Sequence, residues 1–444
     1  EDADLSAPVP SLTDFEMSED QKELTLTLQD TGAAFSDGSP VEIDDIVFSY
    51  QRLQGIGGNP AFFLDGVTVE KVDDETMTLT SEDPNPELPF ILPNPSLGIV
   101  NSEVVEANGG TTDDSDGAEQ FLNENSQGSG AYQVESYDPN SEIVLTANEH
   151  YAGPEPTYKR VVFRNVAGET QVSDVQAGQA QVAYDLNADQ VATLDESTVH
   201  INSIPSTYSV YVFMNQDEET GGITADPDFQ EAMRYAIDYE KVLDLAGEGA
   251  QKMGGVVPNE LLGAAPEDGA FSHDLDKAKE ALEASGYDGE PIPFHYGSDN
   301  TVSGVTIATV AETIQADLAE AGITIELTPA PSTTQLDGFR AGEQPMGIGT
   351  WGADYPDPSN YEVFLPDNDL GDRVNYTEGQ NPKVDELAEA AASADEDERG
   401  AAYEELYSEL NESGPWIPLV QPVSTMVVNK SIESFVSNSD VAFD

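Results

Sequence analysis

Residues Leu24 to Leu28 alternate as LTLTL, with the leucines on one side and Thr25 and Thr27 on the other, which predicts a half-buried β-strand. A turn follows at Asp37-Gly38 and Ser39-Pro40. A short helix comes next, with Asp44 and Asp45 in its first turn, where the helix dipole favours acids, and Ile46, Val47 and Tyr50 as its apolar positions. Tyr132 to Leu145 reads as two strands around a turn at Asp138-Pro139-Asn140, and Lys159 to Val166 as another strand-like run. The second half is richer in helices: Phe229–Ile237, Tyr239–Ala246, Asp274–Ser285 stopped by Gly286, Val384–Ala392 and Ala401–Leu410. Ile292–Tyr296 predicts a strand and Ser303–Ala321 a helix with Ile307, Val310, Ile314, Leu318 and Ala321 on one face. Gly322 ends that helix and Ile323–Leu327 is a strand again, so this stretch is expected to be a βαβ unit with a right-handed crossover in a parallel sheet. Trp416–Val420 is a final extended apolar run.

The 444 residues imply roughly two to three domain-sized units. Charge changes the picture more than length does. There are 86 Asp and Glu against 16 Lys and Arg, a net charge of -70, spread from one end of the chain to the other. Such a shell repels itself at low ionic strength, and that repulsion is largely screened at about 1 M salt, where the Debye length is roughly 3 Å. A halophilic origin is therefore expected. No basic stripe is available to neutralise phosphates, so no nucleic-acid partner is expected. The cations Lys159, Arg160 and Arg164 are read as local partners of the acidic surface.

Candidate chemistry is sparse. The chain has no Cys and four His, none at metal-ligand spacing from another. There is no G-x-S-x-G elbow, and the glycines at 55–58 and 254–255 lack the Lys and Ser/Thr of a P-loop. Asp114-Ser115-Asp116-Gly117 imitates part of a calcium loop without its terminal Glu, and reads as a solvated turn within a surface loop, Gly109 to Gln120. With so many acids, adjacent carboxylates carry no catalytic information. The chain is expected to be no enzyme and to need no cofactor or metal.

Five segments, in order, resemble the oligopeptide- and dipeptide-binding (family 5) solute-binding proteins. Leu24–Leu53 contains FSDGSPVEIDDIVFS, similar to the family's F-x-D-G-[ST]-P turn and acidic helix start. Gly128–Phe163 is similar to its G-T-G-P-Y strand, N-x-x-Y-x-G turn and V-V-F strand. Ala236-Ile237-Asp238 resembles its A-I-D helix, Trp351 to Pro358 its W-x-x-D-x-x-D-P segment, and Ser413–Leu419 its closing P-x-I-P-L crossover. The sequence departs from the pattern at Ser36, where the family has His, and at Gln230, where it has Arg. Val9-Pro10-Ser11-Leu12 matches a segment that lies several dozen residues into family members, so the signal peptide, any anchor and the first strands of lobe I are expected to lie outside this sequence.

The resemblance implies an α/β, two-lobed periplasmic-binding-protein-like fold of the dipeptide-binding type (class II) with an interlobe ligand cleft. Lobe I is expected at 1–208 plus 419–444 and lobe II at 209–418, with crossings near Tyr208 and Leu419. It implies an extracytoplasmic, cell-surface-associated binding protein, a monomer, that hands a small peptide or other polar solute to the membrane permease subunits of an ABC importer. The alternatives are an oligosaccharide or other solute, or a cell-surface receptor that reuses the fold without transport. The implied ligand-binding residues are Trp351, as an aromatic wall, and Asp354, as partner of a peptide's α-ammonium. The backbone of Thr350 and Gly352 is expected to add strand-like hydrogen bonds. Trp is suited to that role by its large apolar face, and this is one of only two Trp in the chain. The competing reading is that Asp354 caps the turn at Tyr355-Pro356 and Trp351 is core. No Lys or Arg occurs from Asp299 to Phe339, where dipeptide binders of the family place an Arg for the ligand carboxylate.

Overall fold

The fold is taken from a computed structural model that describes residues 8–184, 186–269, 271–394, 396–433 and 435. The ends of the expected lobe I, 1–7 and 436–444, lie outside the described residues. The chain divides into two compact units, residues 1–167 and 168–444.

In the first unit, β1 (Thr13–Met17), β2 (Glu23–Leu28), β3 (Val67–Lys71) and β4 (Thr76–Ser81) form an antiparallel sheet in the order β1-β2-β4-β3. The alternation of β2 buries Leu24 and Leu26, as does that of β4 for Met77 and Leu79. The helix Ile43–Ile56 is tied to this sheet by Gln51, whose Nε2 donates to the Val69 carbonyl (3.1 Å), and by a 2.8 Å Lys71–Asp44 pair. Its N-terminus holds more than a dipole effect. Asp45 is buried, and its carboxylate accepts from Glu42 N (2.9 Å), Ser102 N (2.9 Å) and Ser102 Oγ (2.6 Å). The turn at 114–117 corrects the solvated reading given to it. Asp116 receives Arg52 Nε and Nη2, each at 2.8 Å, together with Thr111 N at 3.0 Å. A carboxylate with a forked cation and a backbone donor is an anchor, and the Arg52 guanidinium holds its pKa below the usual Asp range. Glu119 and Gln120, the last two residues of the expected loop, already belong to the helix Glu119–Glu124. A second antiparallel sheet contains β5 (Tyr132–Asp138), β6 (Glu142–Ala147) and β7 (Arg160–Arg164) in sequence order. Lys159 pairs with Glu155 and Arg160 with Glu135, the local pairing expected of them.

The second unit opens with the helix Gly168–Ala177, β8 (Val182–Ala183) and β9 (Val199–Pro205), then β10 (Tyr208–Met214) and the helices Pro227–Ala236, Tyr239–Ala246 and Leu275–Ser285. It continues through β11 (Ile292–Gly297), β12 (Thr301–Val302), β13 (Val305–Thr306), the helix Ile307–Ala321 and β14 (Ile325–Ala330). The helix Ser332–Arg340, β15 (Met346–Gly352), the helices Pro382–Ala392 and Glu396–Ser413, β16 (Trp416–Val420) and β17 (Val423–Asn429) complete it. The main sheet has the order β14-β11-β15-β10-β16, and a smaller one has β17 between β8 and β9.

The expected βαβ unit is present: β11 and β14 pair in parallel, Ile292 opposite Ile325, with Ile307–Ala321 between them in sequence. Ile307, Val310, Ile314, Leu318 and Ala321 are all buried, and Gly322 ends the helix at φ 99°. The helix starts four residues later than the periodicity suggests. Ser303 and Gly304 take φ values of 46° and 80° and form the β12–β13 hairpin, backbone that no α-helix can contain. Ile314 lies fully buried in the aliphatic cluster, so Ile314→Asp is expected to lower stability by at least about 3 kcal/mol in urea titrations. A loss under about 1 kcal/mol would show that the helix does not depend on this face.

The main sheet separates two kinds of core. β10 sends Val210, Val212 and Met214 into an aliphatic cluster with those helices, and Tyr211 and Phe213 into an aromatic cluster with Tyr361, Phe364, Tyr407 and Trp416. Arg234, 2% exposed, leaves the helix Pro227–Ala236 to donate from Nε to the Asn411 carbonyl (3.0 Å) and from Nη2 to the Gly414 carbonyl, at the end of the helix Glu396–Ser413. Among the described residues no helix is long and apolar enough to cross a membrane.

Candidate functional site

β11, β14 and β15 run parallel, so their C-terminal ends at Gly297, Ala330 and Gly352 share one edge of the main sheet. In open α/β sheets that edge is where ligands are usually met. The loops leaving it are held together locally: Asp299 Oδ1 accepts from Ser332 N (2.7 Å) and Ser332 Oγ (2.5 Å).

β15 carries three of the four sequence-predicted residues. It pairs with β10 so that Thr350, Trp351 and Gly352 stand opposite Val210, Ser209 and Tyr208. On its other side β15 meets β11 at one register position, Gly347 with His295. Among the described residues the segment 350–352 therefore has a strand neighbour on one side only. The glycines before it are needed by the aromatic layer. A Cβ on Gly349 would lie 2.4 Å from the Tyr211 ring, and one on Gly347 would lie 2.2 Å from the His295 carbonyl oxygen. Trp351, next on that side, is half-buried. Its ring meets Tyr361 edge-on at 4.9 Å and Phe364 at 5.7 Å.

Asp354 follows two residues beyond the strand. Its N–H donates to Asn360 Oδ1 (2.9 Å), and Asn360 Nδ2 lies 3.5 Å from its carboxylate. Burial raises the Asp354 pKa above its ordinary value, only partly offset by Asn360. The turn is capped by a different acid. Asp357 Oδ1 accepts from Ser359 N (3.0 Å) and Ser359 Oγ (2.7 Å) at the start of the 3₁₀ turn Pro358–Phe364. Arg399 forks onto the same carboxylate at 2.6 and 2.7 Å. The structure thus brings Thr350, Trp351, Gly352 and Asp354 to one strand end, and the capping role considered for Asp354 belongs to Asp357.

Sequence reading missed Tyr361, Asn360 and Arg399. Asp357-Pro358 was a legible cap signal for the turn that positions the first two. Arg399, from a distant helix, gave no signal. Tyr361 is fully buried and among the described residues its hydroxyl has no hydrogen-bond partner, although the Asp354 charge is near enough to raise its pKa further. Among the described residues no group of three or more His, Asp or Glu is placed to hold a metal ion.

The family model of the bacterial extracellular solute-binding proteins, family 5 (middle), matches residues 7–368. The protein named "Probable D,D-dipeptide-binding periplasmic protein DdpA" of Escherichia coli (strain K12) is 29% identical over 432 residues, covering 95% of this chain and 80% of its own length. The dipeptide-binding protein of Pseudoalteromonas sp. SM9913, solved with Met-Leu, superposes with a TM-score of 0.81 at 18% identity, covering 97% of this chain and 89% of its own. AgaA of A. tumefaciens R10, solved with agropinic acid, gives a TM-score of 0.77 at 20% identity, covering 95% and 84%. These likenesses bear out the α/β, periplasmic-binding-protein-like fold class expected from the sequence.

Proposed function

This chain belongs to the family 5 bacterial extracellular solute-binding proteins, and from that premise we propose that it captures a peptide or similar polar solute at the Trp351–Asp354 strand end for an ABC importer. The observation that carries this reading is the combination at that end: a strand open on one side at 350–352, a half-buried indole, and a carboxylate that burial has partly desolvated. An extended ligand can add to such a strand through its backbone, stack on the indole and neutralise the carboxylate with an ammonium. The agropinic acid bound by AgaA favours keeping a second reading, a non-peptide polar solute, because the same fold accepts it.

The lobe boundaries near Tyr208 and Leu419 are supported by how the chain changes sheets. It leaves the small sheet for the main one between β9 and β10, and returns between β16 and β17. These two passages touch: Ser206 N donates to the Pro422 carbonyl (2.9 Å) and Gln421 Nε2 to the Ser206 carbonyl (2.8 Å). Adjacent crossovers suit a hinge. The same reading makes the protein a monomer that works outside the cytoplasm beside its permease, attached to the cell surface, in a molar-salt environment, and without a nucleic-acid partner.

Calorimetry on Asp354→Asn and Trp351→Ala tests the site. A peptide ammonium predicts a loss of roughly 2–5 kcal/mol in binding for Asp354→Asn. A neutral solute predicts less than about 1 kcal/mol there, with Trp351→Ala strongly weakened. If neither substitution alters binding, the solute is held elsewhere.

A further inference from the structure

Arg399, Tyr403 and Tyr407 recur at every fourth residue of the helix Glu396–Ser413, so they form one stripe along it. All three reach the 3₁₀ turn Pro358–Phe364 and its cap. Arg399 forks onto the Asp357 carboxylate, the Tyr403 hydroxyl donates to Glu362 Oε1, and the Tyr407 hydroxyl donates to the Pro358 carbonyl (2.6 Å). The rings pack in series as well. The Arg399 guanidinium lies 5.0 Å from the centre of the Tyr403 ring, Tyr403 stacks on Tyr407 at 5.8 Å, and Tyr407 meets Tyr361 edge-on at 6.4 Å. Gly263 closes the joint from another side: a Cβ there would lie 2.6 Å from Tyr403 Cβ and 3.1 Å from Pro358 Cβ. Both tyrosines of the stripe are buried, and the paired Arg399 and Asp357 side chains are only 13% and 7% exposed.

The same turn carries the groups that touch the strand end. Asn360, itself buried, accepts from Asp354 N, and the Tyr361 ring meets Trp351 edge-on. Asp354 lies beyond the last residue of β15, so the ladder with β10 does not fix its backbone. A buried ion pair stabilises a fold little compared with a well-packed apolar pair of similar volume. What a forked guanidinium adds is geometry, because two parallel bonds fix the orientation of the carboxylate they hold. Here that carboxylate also caps the turn.

We infer that Arg399 and Tyr403 are positioning residues of the strand end: they lock the turn Pro358–Phe364 and so hold Asn360 and Tyr361 against Asp354 and Trp351. The inference rests on the site reading proposed above and extends it to a helix that reaches the site only through the turn. A site loses affinity when the residues that support it let its contact groups drift by more than about 0.5 Å.

Tryptophan fluorescence reads the lock without any solute. Of the two tryptophans Trp416 is fully buried, so acrylamide quenching of the folded protein in molar KCl reports Trp351. Arg399→Met is expected to raise the quenching constant at least about twofold as the turn loosens. Arg399→Lys keeps the charge without the fork, and Tyr403→Phe keeps the ring without its hydroxyl. Both are expected to raise the constant by less, and they carry the test if Arg399→Met does not fold. Arg52→Met breaks a forked pair of the same kind in the first unit and is expected to leave the constant at its wild-type value. If the Arg399 and Tyr403 variants quench no more than Arg52→Met, the inference is overturned and the stripe is packing alone. Calorimetry with alanyl-phenylalanine separates the inference from the site reading. Raised quenching together with binding at least about tenfold weaker in Arg399→Met supports both. If Trp351→Ala abolishes binding and Arg399→Met leaves it unchanged, the inference fails and the site stands. If neither variant affects binding, the site reading fails and takes the inference with it. Should the wild type not bind this dipeptide, the quenching comparison alone supports or overturns the lock.

Discussion

Moving the protein from about 0.1 M to about 3 M KCl is expected to raise its thermal midpoint by roughly 10 °C or more. The cause is the imbalance of 86 acids against 16 bases. The structure has little with which to relieve it, because several of its few cations are each held by particular acids. Arg52 is forked onto Asp116, Arg399 onto Asp357, and Lys241 reaches Asp317 at 2.5 Å. The remaining carboxylates repel one another with only solvent ions to intervene. Two salt effects must be told apart. Screening is nearly complete by about 1 M, where the Debye length is about 3 Å, so most of the rise should fall below that concentration. Exclusion of salt from the surface strengthens apolar burial and keeps rising with concentration. Circular dichroism melts in KCl steps distinguish a curve that saturates from a straight line. A midpoint that stays flat across the range would remove the basis for a high-salt habitat.

Arg234→Ala is expected to cost about 3–5 kcal/mol in denaturant titrations. Burial lowers this guanidinium's pKa to about 10, and no carboxylate pairs with it among the bonds described for it. Its compensation comes from the Asn411 and Gly414 carbonyls at the C-terminal end of the helix Glu396–Ser413, where the macrodipole is negative, and from the Phe271 ring 5.6 Å away. Truncation to Ala opens a cavity and leaves two buried carbonyls with a lost donor each. Arg234→Met keeps much of the packed stem and is expected to cost about 2 kcal/mol, the share due to the carbonyls alone. A cost below about 1 kcal/mol for Arg234→Ala would mean that the two helices are fastened by other contacts.

What the sequence made legible follows from range. The β2 alternation, the faces of Leu275–Ser285 and Ile307–Ala321, and the glycines that stop both helices are local signals, and each is found where expected. β15 was not singled out as a strand, because Gly347 and Gly349 give no side-chain alternation to read and the Tyr211 ring and the β11 backbone fill their missing Cβ positions only in the fold. Asp116 looked solvated because its partner Arg52 is 64 residues away. At the site, Trp351 and Asp354 could be singled out because they lie three positions apart in a motif. The buried Tyr361 hydroxyl and the Arg399 fork arise only from packing.

The small sheet has a consequence for how the chain is made. Its central strand, β17, pairs along its length with β9 and also with β8, yet Val423 is synthesised long after its partner Pro205. At about 5–20 residues per second the ribosome takes roughly 10–40 s to pass from one to the other. Throughout that interval β9 has been made and its β17 neighbour has not, and an unpaired strand edge is a template for wrong partners. Loss of residues 423–429 would leave the nascent chain in that condition permanently, so a stop codon just before Val423 should be as damaging as one far upstream.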